Sequence, residues 1–348
     1  MIVRLLRPLF KTVDRFLIRW CSRSLIGSRL YYTFFSNAFA AQQQAVLKGR
    51  ATFNTPETIG RLHSSANLRR NIHRLEKGLA MKGRREVFAA SYIQQTVREY
   101  KEYAAAGFET AERLWAQEVL DTYFEAVSHS DPVAQAFALY RTVLRTEAGH
   151  RTFSFNPQCA PYAFEVIRDA EVSFEDFQQL CEKRRSVRWF LPRSVPDEAV
   201  QKLVSTALLA PSACNRQPFR FICARERAAA VAACAAGTTG YVHQLPAVLV
   251  VAGDYANYGH ERDKNLIYID ASLAAMQLML AAPTLGLASC PINWAEDPAA
   301  ESRIRKLIDL KDSERIIMLI ALGYPEPGGM IPYSQKKQAA QVLTYADD

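Results

Sequence analysis

No CxxC pair occurs in the 348 residues, and the seven cysteines show no even spacing. That argues against a structural zinc site and against a secreted disulfide framework, and it fits a reducing compartment, the cytoplasm. Neither GxGxxG nor GxxxxGK[ST] is present, so a Rossmann or P-loop nucleotide site has no support. The six histidines stand at no metal-ligand spacing. There is no internal repeat and no low-complexity tract. Near the N-terminus no apolar run approaches the ~18–20 residues of a membrane span, and no h-region with a small-residue cleavage site marks a secretory signal. Net charge is missing from most of the chain as well. Residues 1–50 hold nine Lys or Arg against Asp14 alone, and this accounts for the whole formal charge of +8. A nucleic-acid-binding protein carries its charge on the folded body, so no nucleic-acid partner is expected.

What remains is ordinary globular composition, 49% apolar and 22% charged, in a chain long enough for two domains or for one domain with an extension. Three regions separate: a basic amphipathic segment (1–50), a helical extension (51–170) and a chemistry-bearing half (171–348). In the first, Arg7, Lys11, Arg15, Arg19 and Arg23 recur every four residues, with Val13, Phe16, Leu17, Ile18 and Trp20 between them. This spacing predicts one basic amphipathic helix beginning near Pro8. Three roles fit such a helix. Residues 1–30 could dock on an anionic membrane surface, which would place the protein at the inner face of the membrane. The helix could instead pack on its own protein, or serve as a mitochondrial transit peptide.

In the second region apolar residues at three- and four-residue spacing predict helices over 88–104 and 110–127. Asp131-Pro132 opens another, ended by Gly149 and Asn156-Pro157. The stretch from Asn67 to Phe88 carries eight basic residues against Glu76 and Glu86. Gly78 and Gly83 are expected to break it into a loop. It reads either as a solvated basic face or as an anion-binding loop.

The third region interleaves helices and short strands. Ser173 with Asp176 resembles a capping box, and Pro196-Asp197-Glu198 opens a further helix. FRFICA (219–224), PAVLVVAGD (246–254), ASCPINW (288–294) and IIMLIALGY (316–324) read as strands. Leu266 to Leu285 reads as a helix apolar around most of its circumference, hence central, with a subunit interface as one place for it. Asp297-Pro298 starts another. Arg184, Arg185 and Arg188 put three guanidinium groups within five residues, a cluster more comfortable around a phosphate than alone. Asn215 and Gln217 flank a small-residue turn, and amides both donate to and accept from the edge of a planar heterocycle. Each signal is weak singly.

Taken in order, RRSVRWF (184–190), APSACNRQPF (210–219), LGLASCPINW (285–294) and ALGYP (321–325) resemble the nitroreductase family of FMN-dependent oxidoreductases. The resemblance covers roughly residues 173–340. It implies an α+β fold with a central, mostly antiparallel sheet flanked by helices, and a homodimer with two FMN sites at its interface. By the same resemblance, Arg184, Arg185, Ser186 and Arg188 contact the flavin phosphate, ribityl chain and pyrimidine edge. Pro211, Ser212, Ala213, Asn215 and Gln217 come largely from the partner subunit. Pro291, Ile292, Asn293 and Trp294 lie by the reactive flavin nitrogen, and Lys336 binds phosphate. The bulk of Trp294 is expected to restrict access to the ring. NADH or NADPH would reduce the flavin, and a small-molecule acceptor would take the electrons, with no side chain acting as nucleophile and with Cys214 and Cys290 as packed residues. Two other classes stay open: a flavoprotein of another reaction type (dehydrogenation, flavin fragmentation, dehalogenation), and a non-catalytic membrane-associated factor. The NIHRLEKGL stretch (71–79) looks like an extension of larger bacterial nitroreductase-like proteins associated with polysaccharide synthesis.

Overall fold

A computed structural model describes residues 13–53, 55, 64–108, 111–128, 130–147, 159–167 and 171–346. Strand β2 (Ala247–Asp254) is an unbroken apolar run up to Gly253, and all eight of its residues are buried. A strand buried on both faces must lie inside a sheet covered on both sides. Its neighbours are β1 (Phe219–Ala224) and β4 (Glu314–Gly323), with β3 (Ala288–Asn293) beyond β4. The order is β1-β2-β4-β3 and every pair is antiparallel.

The two-residue period of the strands divides the core into two layers. Val248 and Val250 of β2, with Leu319 and Ala321 of β4, meet helices α10 (Ala228–Ala232) and α12 (Pro298–Ile304). Ala247, Leu249 and Val251, with Ile320 and Leu322, meet α9 (Asp197–Ala207) and α11 (Leu266–Ala281). Asp297 caps α12 by accepting from Ala299 N–H at 3.0 Å, and Ser173 caps α8 (Phe174–Lys183) by accepting from Asp176 N–H. By length and composition residues 261–285 would suit a membrane span. Ile267, Ala271, Ala274, Ala275 and Leu278 of α11 are nevertheless fully buried in the protein, so it is a core helix. Its outer side keeps Ile269, Leu273 and Met276 at 52%, 44% and 41% exposure, a stripe at i, i+4, i+7.

The N-terminal half builds a separate core. Helix α4 (Ala66–Leu79) buries Leu68, Ile72 and Leu75 at the expected three- and four-residue spacing. They pack with Val97 and Tyr100 of α5 (Ile93–Ala105), Val119 and Tyr123 of α6 (Ala111–Ala126), and Val133 and Tyr140 of α7 (Asp131–Glu147). The expected break at Gly78 is corrected: α4 runs on to Leu79. A Cβ at Gly78 would lie 2.2 Å from the Phe88 ring, so glycine serves close packing there. The anticipated helix end at Gly149 and Asn156-Pro157 lies outside the described residues.

Further upstream, α1 is described over 13–21 and α2 over Leu25–Phe34, with Ser24 capping α2 through a 3.0 Å bond from Gly27 N–H. The basic row therefore does not lie on one helix through Arg23; the chain turns after Cys21, and the expected start near Pro8 is outside the described residues. Helix α3 (Ala40–Thr52) anchors this end by packing Ala45 and Val46 on Tyr255, Tyr258 and Ile267. Gly49 touches Tyr255 so closely that a Cβ would sit 2.4 Å from that side chain.

One buried charge stands out in the extension. Glu99 on α5 is 8% exposed, accepts from the Asn67 amide and from Gln95 Nε2 (2.9 Å), and its Oε2 has no partner among the described residues. Burial pushes this carboxyl above the usual range, against the lowering effect of the amides. The folded state therefore holds the proton more tightly than the unfolded chain. Stability falls as pH rises through the window above the ordinary carboxylate range. Glu99→Gln should raise the thermal midpoint at about pH 8 and gain progressively less as pH is lowered toward about 5. Melts of both proteins followed by circular dichroism across that range check this, and an equal loss at every pH would contradict it.

Candidate functional site

Helix α8 ends because Arg184 turns extended (φ −67°, ψ 113°), and the chain then runs along the outer edge of β3. Ser186 forms a parallel bridge with Ser289, where Val187 N–H donates to Ser289 O at 3.1 Å. Gln244 clamps the same segment: its Oε1 accepts from Phe190 N–H (2.8 Å) and its Nε2 donates to Arg188 O. Leu191 N–H donates to Tyr324 O at 2.8 Å. The backbone is thus fixed on both sides while the side chains stay available.

Arg184, Arg185 and Ser289 line a cleft of about 320 Å³ together with Gly286 and Pro325. Arg188 leans over the Tyr241 ring at 5.8 Å. Among the described residues none of the three arginines meets a carboxylate. Their guanidinium bonds are long ones to their own segment, Arg185 to Arg184 O (3.3 Å) and Arg188 to Ser186 O (3.4 Å). The Ser289 hydroxyl beside them is buried and has no partner among the described residues. Uncompensated guanidinium groups around an orphaned hydroxyl fit an oxyanion such as a phosphate. Burial holds the neighbouring Cys290 thiol above its usual range although Arg188 and Arg184 pull it down, which leaves Cys290 a neutral packed residue.

Along β3, Pro291 and Asn293 face outward while Ile292 and Trp294 turn into the core. Proline is tolerated because β3 is an edge strand. This corrects the expectation for Trp294. Its ring is 7% exposed and packs in the core, so its bulk does not stand over the outer face.

The second motif is a strained loop. Cys214 (φ 55°), Asn215 (φ 50°) and Gln217 (φ 50°) all adopt the left-handed region without being glycine, at about 1–3 kcal/mol each. Surrounding bonds hold it. Gln217 N–H donates to Ser212 Oγ (3.1 Å) and Ala213 N–H to Asp270 Oδ2 (3.0 Å). Asp270 is buried on α11, and burial raises its pKa while the bonds from Ala213 and Tyr258 lower it. Arg216 turns inward over the Tyr258 ring at 4.8 Å. From the extension, Arg69 donates through Nε to Asn215 O (2.8 Å) and through Nη1 to Glu112 Oε2 (2.8 Å). Arg69 is thus part of neither a solvated basic face nor an anion-binding loop, the two readings of its stretch. The only hint was its spacing, one turn after Ser65 and three residues before Ile72, at the border of the buried stripe of α4.

The fold brings Arg184–Arg188 together with Ser289 and Cys290 at the start of β3, but not with Pro211–Gln217. Ser289 sits on β3 beside Leu322, near the C-terminal end of β4. The 211–217 loop enters β1 at Phe219 beside Gly253, on the opposite edge and at the opposite end of the sheet. Lys336 lies in an exposed C-terminal stretch and is not among the residues that line the Arg184–Arg185 cleft.

Arg69→Ala leaves the Glu112 carboxylate with the Ser64 hydroxyl and the Ser65 N–H as its donors and should cost about 1.5–3 kcal/mol of stability. It should also speed amide exchange at Ala213–Gln217. Arg69→Lys, which keeps the charge but not the two-armed fork, should recover stability more than loop protection. Hydrogen exchange read by mass spectrometry tests this, and unchanged loop exchange in Arg69→Ala would refute the link.

Comparison with known proteins bears on the same residues. The nitroreductase family model matches residues 181–239 and 228–324. A protein of Archaeoglobus fulgidus provisionally named NADH dehydrogenase/NAD(P)H nitroreductase is 30% identical over 155 residues, covering 44% of this chain and 87% of its own length. An iodotyrosine deiodinase of Haliscomenobacter hydrossis is 25% identical over 219 residues, 54% of this chain and 97% of its own. A crystal structure of a Parabacteroides distasonis protein, provisionally named NADH dehydrogenase/NAD(P)H nitroreductase, aligns at 26% identity over 48% of this chain and 96% of its own, with a TM-score of 0.43. By its motifs and by this relationship to the archaeal protein, the chain belongs to the nitroreductase family of oxidoreductases.

Proposed function

We propose that this protein binds FMN and passes reducing equivalents from NADH or NADPH to a small-molecule acceptor, acting as a homodimer. The observation that carries this reading is the group of three carboxylate-free arginines beside the orphaned Ser289 hydroxyl. The bound flavin would supply hydride acceptance and release. The chain would hold it. Arg184, Arg185, Ser186 and Arg188 would grip the phosphate, ribityl chain and pyrimidine edge, with Lys336 as a further phosphate ligand. Backbone groups of Pro291–Trp294 would face the reactive nitrogen from the open edge of β3.

Pro211, Ser212, Ala213, Asn215 and Gln217 would come from a second copy, since one chain holds them diagonally across the sheet from the arginines. The exposed Ile269-Leu273-Met276 stripe on α11 offers such a copy an apolar face. The deiodinase relative favours a second reading, reductive removal of halogen from an aromatic substrate at the same flavin.

The purified protein should be yellow and should bleach with anaerobic NADH or NADPH; a colourless protein that rejects added FMN would overturn the proposal. Arg184→Ala should weaken FMN binding roughly 10- to 100-fold, since a charge-assisted hydrogen bond is worth about 1.5–3 kcal/mol. Fluorescence titration of the apoprotein measures it, and an unchanged Kd would remove Arg184 from the site. Leu273→Asp should give a monomer that has lost FMN, by light scattering and absorbance, whereas a yellow monomer would mean that the site does not straddle two chains.

A further inference from the structure

Helices α1 and α2 bury no residue among those described: each is half-buried or exposed. Phe16, Trp20, Leu25, Ile26, Phe34 and Phe35 are 56–80% exposed. A ten-residue helix with no buried face does not hold its shape alone in water, because helices this short depend on tertiary packing. Some surface must cover the pair, and the charge of the segment says which. Arg15, Arg19, Arg23 and Arg29 meet no carboxylate among the described residues. Arg23 stacks over Trp20 at 4.7 Å, and the one acid, Asp14, is taken by the Tyr31 hydroxyl at 2.5 Å. Beyond residue 50 the chain is charge-balanced overall, so the net positive charge that draws the protein to a negative surface is carried by this segment. Arginine mixed with Trp, Phe and Tyr is the chemistry of the lipid headgroup boundary, where guanidinium groups reach the phosphates and rings settle below them. At ten residues α2 has half the length of a span, so it would lie in the interface.

We propose that the α1–α2 hairpin docks on a bilayer surface containing anionic phospholipid and, through α3, holds the oxidoreductase domain there. The route is physical. Helix α3 follows the hairpin directly and is seated on Tyr255, Tyr258 and Ile267, with Arg50 paired to Glu261. The proposal is independent of the cofactor assignment.

The test uses the full chain and sucrose-loaded vesicles of phosphatidylcholine alone or mixed with phosphatidylglycerol. Sedimentation with the anionic vesicles only, weakening as salt rises, is expected. The Arg15→Gln/Arg19→Gln/Arg23→Gln variant should lower partitioning at least ~10-fold. Phe16→Ser/Trp20→Ser should lower it while the electrostatic preference remains. Failure of the wild-type chain to sediment with anionic vesicles would overturn the proposal, as would salt-insensitive binding to both vesicle types. So would a fall in the wild-type solution mass on introducing the triple substitution without any vesicle binding, which would identify a second copy as the cover. The salt series on wild-type protein decides the matter even if a variant misfolds.

Discussion

Three like charges on one five-residue segment repel one another, and nothing described in this chain neutralises them. The surrounding architecture is arranged to tolerate that repulsion. Backbone groups do the holding: the bridge from Ser186 to Ser289, the two-armed Gln244 clamp, and the Leu191 N–H to Tyr324 bond. Among the described residues no side chain of Arg184, Arg185 or Arg188 is spent on carboxylate pairing, so their charge remains available to a ligand. A segment held by side-chain ion pairs would have to break them before binding, and the affinity would be lower by that amount.

The 211–217 loop stores strain of another kind. Three non-glycine residues in the left-handed region persist only where their surroundings over-determine them. Asp270 and Ser212 do this from within the domain and Arg69 from outside it. The two segments differ in physics, uncompensated charge at one sheet edge and fixed backbone at the other, and within one chain they lie at opposite ends of the sheet.

Much of the catalytic half was legible in the sequence because its signals are local. The unbroken run Ala247–Gly253 could only be an interior strand, and the Ser173 and Asp297 caps fixed two helix starts. Ser24 carried the same kind of signal, although the arginine row obscured it. What stayed hidden depends on partners far away in sequence. Gly78 reads as a helix breaker until Phe88 is placed against it. Trp294 reads as a surface obstruction until the edge position of β3 settles which of its two faces is inward. Arg69 is one of eight basic residues in its stretch, and only the approach of Asn215, 146 residues on, separates it from the rest. The family was legible through the order of its motifs; the residue types alone would equally have fitted a solvated charge run.

The same contacts give the N-terminal extension a structural reason. Helix α3 packs on Tyr258, whose hydroxyl donates to Asp270, which in turn accepts from Ala213 N–H. Helix α4 reaches the loop from another side through Arg69 and the carbonyl of Asn215. Two separate helices thus converge on one short loop, at the end of the sheet where β2 finishes and β1 begins. A bare domain would have to hold Cys214, Asn215 and Gln217 in the left-handed region with Ser212, Asp270 and the inward-turned Arg216. With the extension present, release of the loop also breaks the bond from Arg69 Nε to Asn215 O, whose donor is held in place by the buried Glu112 carboxylate. Residues far outside the matched family segment therefore act on the geometry of a motif inside it, and the rigidity of that motif becomes a property of the whole chain.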